Sequence, residues 1–442
     1  MSKNELIVIS YQGSFYIDPR LSRIVSSFLK FKFNIRIFDI KSKFDHSNTT
    51  NEQIEINKSQ NQNFKIKELT VNNISKNYFE NQILSKIYHL VVKKHFIFRT
   101  LKILDTLIFL LGFFLKINNF KYLYSGSSIN KIRRYLYLKR FNKINFENIE
   151  IKINCKNTIF IGCDFKSSLI AMKLANKTNS KFIFDIKELF SEENEKMFAP
   201  QKLLTQSLEN KMIKNSNLIF CVSKNIRKFY LKNNPHVKNK IKYIPNTHNH
   251  KNIKFLNIKK KIKFVLVSNF YPQERGIEFF IKVWNLILKK YKPNISLDLY
   301  LTNISSNQNK KLKLLLNSNF LKTFSIKKPI KLKEYEKVLK KYDIGIIPYL
   351  SKSLNYEYSS PNKFGDYVSN GLIVCSSGTS ELKEIIKKNS IGFCYNQNSI
   401  HDSASVIYKY INNPKLLNVL KKNAVKFFKK EYNWEIFEKE FF

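Results

Sequence analysis

Short apolar runs of strand length recur along the chain, separated by longer segments whose apolar positions repeat every three or four residues. "LIVIS" predicts a first strand, "SRIVSSFLKF" a helix and "NIRIFDI" a second strand. A polar Asn/Gln/Lys-rich stretch from about Lys41 to Asn81 breaks the rhythm and is expected to be a long loop or a partly disordered insertion. The alternation resumes at "TIFIGCD", Thr158 to Asp164, and continues through "SSLIAMKLANKT", "KFIFDI", "SNLIFCVS" and "KIKYIPN". After a lysine-rich linker near residues 247 to 258 it starts over at "KIKFVLVSN", Lys261 to Asn269. "ISLDLYL", "FSIKK", "DIGIIPYL", "LIVCSS" and "IGFCY" follow. Strands alternating with helices build a doubly wound α/β sheet, and two such series predict two domains, residues 1–250 and 259–425, with ligands expected in a cleft between them.

Residues 86–140 depart from this rhythm. Their longest uncharged run, Thr106 to Leu115, is half of what a bilayer crossing needs, and lysines, arginines and aromatics flank it. The pattern suits an amphipathic, membrane-facing insertion lying in an interface, and a core helix is the alternative.

Charge sharpens that expectation. The 442 residues carry a net charge of +45, which draws the chain to an anionic membrane surface. No zinc-finger, RNP1-like or KH-like pattern accompanies the charge, so no nucleic acid partner is expected. Five cysteines without a C-x-x-C spacing sit mostly inside apolar runs, as reduced core residues of a cytoplasmic protein do. The run after "MSKNE" is too brief for a signal peptide.

The densest candidate chemistry lies in "SSPNKFGDYVSNGLIVCSSGTSELKEII", Ser359 to Ile386. Ser360 as cap and Pro361 as first helical residue predict a helix of about ten residues that stops before Gly371. Phe364, Tyr367 and Val368 form its apolar stripe, and Lys363 and Asp366 share another face. A lysine at a helix start suits an anion, and the aspartate could accept hydrogen bonds from a ribose diol; a solvated surface pair is the alternative.

The ordered landmarks resemble a GT-B glycosyltransferase, specifically the retaining family 4 (group 1) type. "DPRLSRIVSSFLKFKFNIRIFDI" is similar to a D-x-R segment after the first strand, and "FIFDIKELFSEE" to a strand ending in D-x-H-E. "IKYIPN", "VSNFYPQERGIEFFIKVW", "YDIGIIPYL", "SSPNKFGDYVSNGLIVCSS" and "YNWEIF" follow in the family's order. The resemblance implies two Rossmann-like domains facing across a cleft, with residues 426–442 as a terminal helix crossing back to the first. It also implies transfer from a UDP- or GDP-sugar to a lipid-linked or saccharide acceptor, with retention and no cofactor or metal.

Residue by residue, the resemblance gives Lys363 the donor phosphate, Asp366 the ribose and Arg275 the pyrophosphate, with Gly13 near the donor in the first loop. Asp185, Lys187 and Glu188 would line the catalytic acceptor side, and Glu357 would stand in for a glutamate missing at Tyr358. Lys187 replaces a histidine, Phe270 a second cation and Asp366 the usual glutamate. Two further readings stay open: a nucleotide-sugar 2-epimerase on the same fold, and a non-catalytic membrane or polyanion-binding protein on a degenerate transferase scaffold, to which these departures give weight. Asp18 and Arg20 could merely cap and pair at the first helix.

Overall fold

The protein is described by a computed structural model covering residues 4–11, 18–41, 65–70, 134–136, 138–139, 141–142, 151, 153, 157–193, 197–258, 261–269, 275–302, 304–315 and 323–441. Gly13, Phe270 and nearly all of the 86–140 insertion lie outside these residues. Cys155 does too.

Seven strands make the first sheet: β1 (Asn4–Tyr11), β2 (Asn34–Lys41), β3 (Lys65–Thr70), β4 (Asn157–Gly162), β5 (Lys181–Ile186), β6 (Leu218–Cys221) and β7 (Ile241–Tyr243), in the order β3-β2-β1-β4-β5-β6-β7. β1 pairs in parallel with both β2 and β4, so the winding direction reverses between β1 and β4. The polar stretch expected to be a loop contains β3, in parallel register with β2 from Arg36↔Lys65 to Lys41↔Thr70. Its sequence "KIKELT" is too short and too charged for periodicity to announce it, and pairing with a neighbour already in place decides the conformation.

Six strands make the second sheet: β8 (Ile262–Asn269), β9 (Ile295–Thr302), β10 (Phe324–Lys327), β11 (Ile344–Ile347), β12 (Ile373–Ser376) and β13 (Gly392–Cys394), ordered β10-β9-β8-β11-β12-β13 and parallel throughout. β11 and β12 are buried at every residue, whereas β9 alternates between buried Ile295, Leu297, Leu299 and Leu301 and half-covered partners. Continuous apolar strands at the centre and an alternating one nearer the edge are what helices on both faces require.

By contacts the chain divides into two compact units, residues 1–185 with 190–219, and residues 186–189 with 220–442. In the first unit, helix α1 (Pro19–Lys30) starts where Asp18 Oδ1 accepts from the backbone N–H of Arg20 and Leu21. Leu21, Ile24, Val25 and Phe28 form its buried stripe. Helix α2 (Phe165–Lys177) opens on a reciprocal capping box between Asp164 and Ser167.

In the second unit, α3 (Pro414–Glu431) runs unbroken past residue 426 and is followed by the short α4 (Trp434–Phe437). Phe437 meets Tyr243 of β7 edge-on at 5.5 Å, and Phe441 stacks on Phe220 of β6 at 4.7 Å. These contacts account for the grouping of residues 220–243 with the C-terminal half. Cys163, Cys221 and Cys375 are buried, and Cys394 is half-buried.

Candidate functional site

The reversal point of the second sheet lies between β8 and β11, and the candidate donor groups gather around the elements that follow those strands. Helix α5 (Asn362–Val368) is shorter than expected and starts one residue later, with Pro361 as its cap residue and no side-chain cap bond. Pro361 holds extended backbone, φ −67° and ψ 146°, which places it outside the helix. Gly371, at φ 71°, completes the turn beyond it, where its N–H reaches Val368 O.

The apolar stripe is as read from the sequence. Phe364, Tyr367 and Val368 are fully buried, each worth about 1.5–3 kcal/mol of transfer energy. Tyr367 sits flat on Gly345 of β11, where an added Cβ would fall 2.3 Å from its ring. Its hydroxyl accepts from Val267 N–H of β8 and donates to Ile346 O of β11. The helix is thereby fixed over the reversal point, and its other face carries the charges.

On that face Lys363 Nζ lies 3.3 Å from Asp366 Oδ2 and 3.0 Å from the Tyr335 hydroxyl, and 5.1 Å above the Tyr335 ring centre. The Tyr335 hydroxyl donates to Asp366 Oδ2 at 2.9 Å, and His248 Nε2 meets Asp366 Oδ1 at 2.8 Å. Asp366 is 8% exposed. Burial alone would raise its pKa, but the Lys363 charge and then the His248 and Tyr335 hydrogen bonds hold the carboxyl well below the usual carboxylate range. Burial, and after it the Asp366 charge, pushes the Tyr335 hydroxyl far up, so it serves as a donor. Nearby, Lys251 bonds Glu336 at 3.2 Å, and burial lowers its pKa.

His248 and Tyr335 were not among the sequence candidates. His248 sits in the linker after "IPN" and Tyr335 in "KEYEKV", and neither position carries a spacing signal. The linker is tied down on both sides. Asn246 Nδ2 donates to Ser360 O, and His248 O accepts from Trp434 N–H.

Arg275 precedes helix α6 (Ile277–Tyr291), whose cap residue Gly276 has φ 68°. A Cβ there would fall 1.8 Å from Pro348 O, so no other residue fits without displacing the loop after β11. The Arg275 guanidinium lies 4.4 Å from the Tyr349 ring centre and 5.8 Å from that of Tyr356, and Nη1 donates to the Tyr349 hydroxyl. Its Nε is buried without a hydrogen-bond partner.

Glu357 has a different engagement. Its carboxylate accepts from the N–H of Ser380 at 3.0 Å and from the Ser380 hydroxyl, at the start of helix α7 (Ser380–Asn389). That is a helix cap supplied from another segment. Tyr358 is half-buried beside it.

In the first unit, Asp185 at the end of β5 is buried and bonded by Arg20 through Nη2 at 2.7 Å and Nε at 3.0 Å. Lys187 is half-buried and Glu188 exposed, both in the segment after β5. Among the described residues, no group of three or more His, Cys, Asp or Glu could hold a metal ion.

Residues 248–427 match the family model described as glycosyl transferases group 1. Solved structures align over nearly the whole length. TarM of S. aureus, a mutant in complex with fondaparinux, alpha-GlcNAc-glycerol and UDP, has a TM-score of 0.60 at 12% identity, covering 100% of this chain and 99% of that one. Sucrose-phosphate synthase of Thermosynechococcus elongatus gives 0.62 at 12% identity, covering 99% and 97%. Anabaena HepE in complex with UDP gives 0.60 at 9% identity, covering 99% and 98%. At these identities the likeness is one of fold. No curated protein matches the chain in sequence.

Proposed function

We propose that this chain, which carries a group 1 glycosyl transferase domain over residues 248–427, transfers a sugar from a nucleoside-diphosphate donor to a lipid-linked or nascent surface polysaccharide, with retention. The group 1 domain and the GT-B-like fold support a nucleotide-sugar glycosyltransferase, and the acceptor and the retaining outcome are what the proposal adds. The observation that carries the donor assignment is the Lys363–Asp366 pair on α5, inside the matched domain and beside the sheet's reversal point.

In this reading Lys363 and Arg275 face the diphosphate, and Asp366 takes the ribose. The unpartnered, buried Nε of Arg275 fits such a role, because an anion would satisfy it. Two fixed cations stabilise the charge that develops as the nucleoside diphosphate leaves, about 3 kcal/mol for each well-placed donor. They do so without a metal, and the donor is a UDP- or GDP-sugar.

The acceptor side is assigned to the end of β5 and the segment that follows it, which carries Lys187 and Glu188. Asp185, at the end of β5, and Glu357, capping the start of α7, act as positioning groups, each committed to a hydrogen-bonded partner. Gly13 and Phe270 lie outside the described residues, and so does most of the insertion assigned to the membrane. The net charge of +45 supports binding at the anionic inner face of the cytoplasmic membrane. Among the described residues no helix is long and apolar enough to cross a membrane, so the association proposed is peripheral.

The test is a thermal-shift screen of UDP, GDP, CDP and their sugars against the wild type and a Lys363→Ala, Asp366→Ala double variant. A melting rise with one nucleotide that vanishes in the variant is expected. A folded wild type that responds to none of them would end the donor assignment.

A further inference from the structure

Helix α8 (Leu354–Tyr358) has only five residues, too few to stay helical unaided, so the contacts around it fix its place. The loop that leads into it from β11 is tied at three points. Pro348 O lies against Gly276, the Ser377 hydroxyl donates to Tyr349 O, and Gln397 accepts from the Ser351 N–H at 2.7 Å and donates to the Ser351 hydroxyl at 2.8 Å. The helix then opens on Ser353, whose hydroxyl accepts from the Tyr356 N–H.

Successive side chains on a helix point about 100° apart, so three in a row reach three directions. On α8, Tyr356 presents its ring 5.8 Å from the Arg275 guanidinium, and Glu357 caps α7. Asn355 turns the third way. Its Oδ1 accepts from the backbone N–H of Leu189 at 2.8 Å, and both residues are buried. Because the partner is an N–H, the amide is oriented with its oxygen towards Leu189.

Leu189 ends the short segment after β5 that carries Lys187 and Glu188. At the other end of this segment Ile186 O accepts from Val222 N–H at 3.2 Å. Just beyond it, Phe190 gives its N–H to Glu209 Oε1 at 3.1 Å. Lys187 and Glu188 therefore sit between fixed backbone points, and one of those points is held by the same helix whose next side chain packs against Arg275.

We infer that Asn355 is a positioning residue for the proposed transfer: by holding the Leu189 N–H it fixes the backbone of Lys187 and Glu188 relative to Arg275. The inference rests on the reading of Arg275 as a diphosphate group and of the segment after β5 as the acceptor side. Displacement at an anomeric carbon needs acceptor and leaving group in register, and a misplacement of about 1 Å costs about a hundredfold in rate. Asn355 acts through the Leu189 backbone, so its loss is felt in the chemical step and not in nucleotide binding.

The experiment compares the wild type with Asn355→Leu, which keeps the size and loses the acceptor, and Asn355→Asp, which keeps an acceptor oxygen. Affinity for UDP and GDP is measured by calorimetry. Nucleotide release from UDP-glucose, UDP-N-acetylglucosamine and GDP-mannose is followed with water as acceptor, and hydrogen exchange is read over the peptide 186–190. Asn355→Leu is expected to lose about tenfold to a hundredfold in kcat with nucleotide affinity within about twofold of wild type. Asn355→Asp should return to within about threefold in kcat. The Leu189 amide should exchange at least about tenfold faster in the Leu variant than in the wild type or the Asp variant.

A purely structural bond would lower the melting temperature and leave kcat of the folded protein unchanged; that result for Asn355→Leu would overturn the inference and leave the donor reading standing. A nucleotide affinity that falls along with kcat would also overturn it, by making Asn355 part of donor binding. If Asn355→Leu does not fold, the wild type decides: a Leu189 amide that exchanges as fast as an unprotected one overturns the inference. Failure of the folded wild type to bind either nucleotide would overturn the donor reading and this inference with it.

Discussion

Arg20 and Asp185, 165 residues apart in sequence, form a buried ion pair in which Nε and Nη2 of the guanidinium both reach the carboxylate, with side chains 2% and 0% exposed. The pair ties the first helix to the end of β5. Removing one partner strands a charge in a dry site, so Arg20→Met or Asp185→Leu alone is expected to cost about 3–5 kcal/mol, lowering the melting temperature by on the order of 10 °C. The double variant should recover most of that loss. If either single variant melts like the wild type, the pair contributes little to holding these segments together.

Asp366 makes the stability of the second unit acid-sensitive. Its folded-state pKa is depressed below the unfolded value, so the stability it contributes is complete above the unfolded value, near 3.9, and is lost as pH falls toward the folded one. Asp366→Asn should therefore be less stable than the wild type by about 2 kcal/mol at pH 7. That gap should begin to narrow as the pH falls below about 4 and go on narrowing as the pH drops further toward the depressed folded-state value. Denaturant melts of both proteins across this range measure it; a gap that stays constant with pH would contradict the assignment.

Glu357 is a helix cap in this fold. Glu357→Gln retains an acceptor oxygen for Ser380 and should cost less than about 1 kcal/mol, whereas Glu357→Ala should cost about 1–2 kcal/mol. Turnover of the Gln variant is expected to stay within about threefold of wild type, a free-energy change below 1 kcal/mol. A much larger fall in kcat for a normally folded Gln variant would return Glu357 to the reacting centre.

The peripheral membrane assignment predicts that the full chain sediments with vesicles containing anionic lipid at low salt and is released as ionic strength rises past about 0.5 M, where the Debye length is only a few ångströms. Neutral vesicles should bind far less. Protein that ignores anionic vesicles at low salt would remove the membrane from the proposal.

Both parallel sheets were legible along the chain because each central strand is buried on two faces and reads as an unbroken apolar run, as "IGII" and "IVCS" do. β3 was not, since an edge strand takes its conformation from the neighbour it pairs with. The apolar stripe of α5 followed from helical spacing, and Lys363 and Asp366 on its other face followed with it. The start of that helix did not, because proline suits both a first helical position and the extended backbone that Pro361 takes up here, and only the fold selects between them.

What the sequence by itself determined was the alternation of elements, the buried stripes and the candidate charges, all of which depend on spacing within a few residues. What only the tertiary structure decided was which charges meet. Arg20 finds Asp185, Glu357 finds Ser380, and His248 and Tyr335 find Asp366 across 118 and 31 residues of chain. Those pairings fix which carboxylates still have lone pairs to offer a ligand, and they arise only when the sheets bring distant loops to one end of the strands.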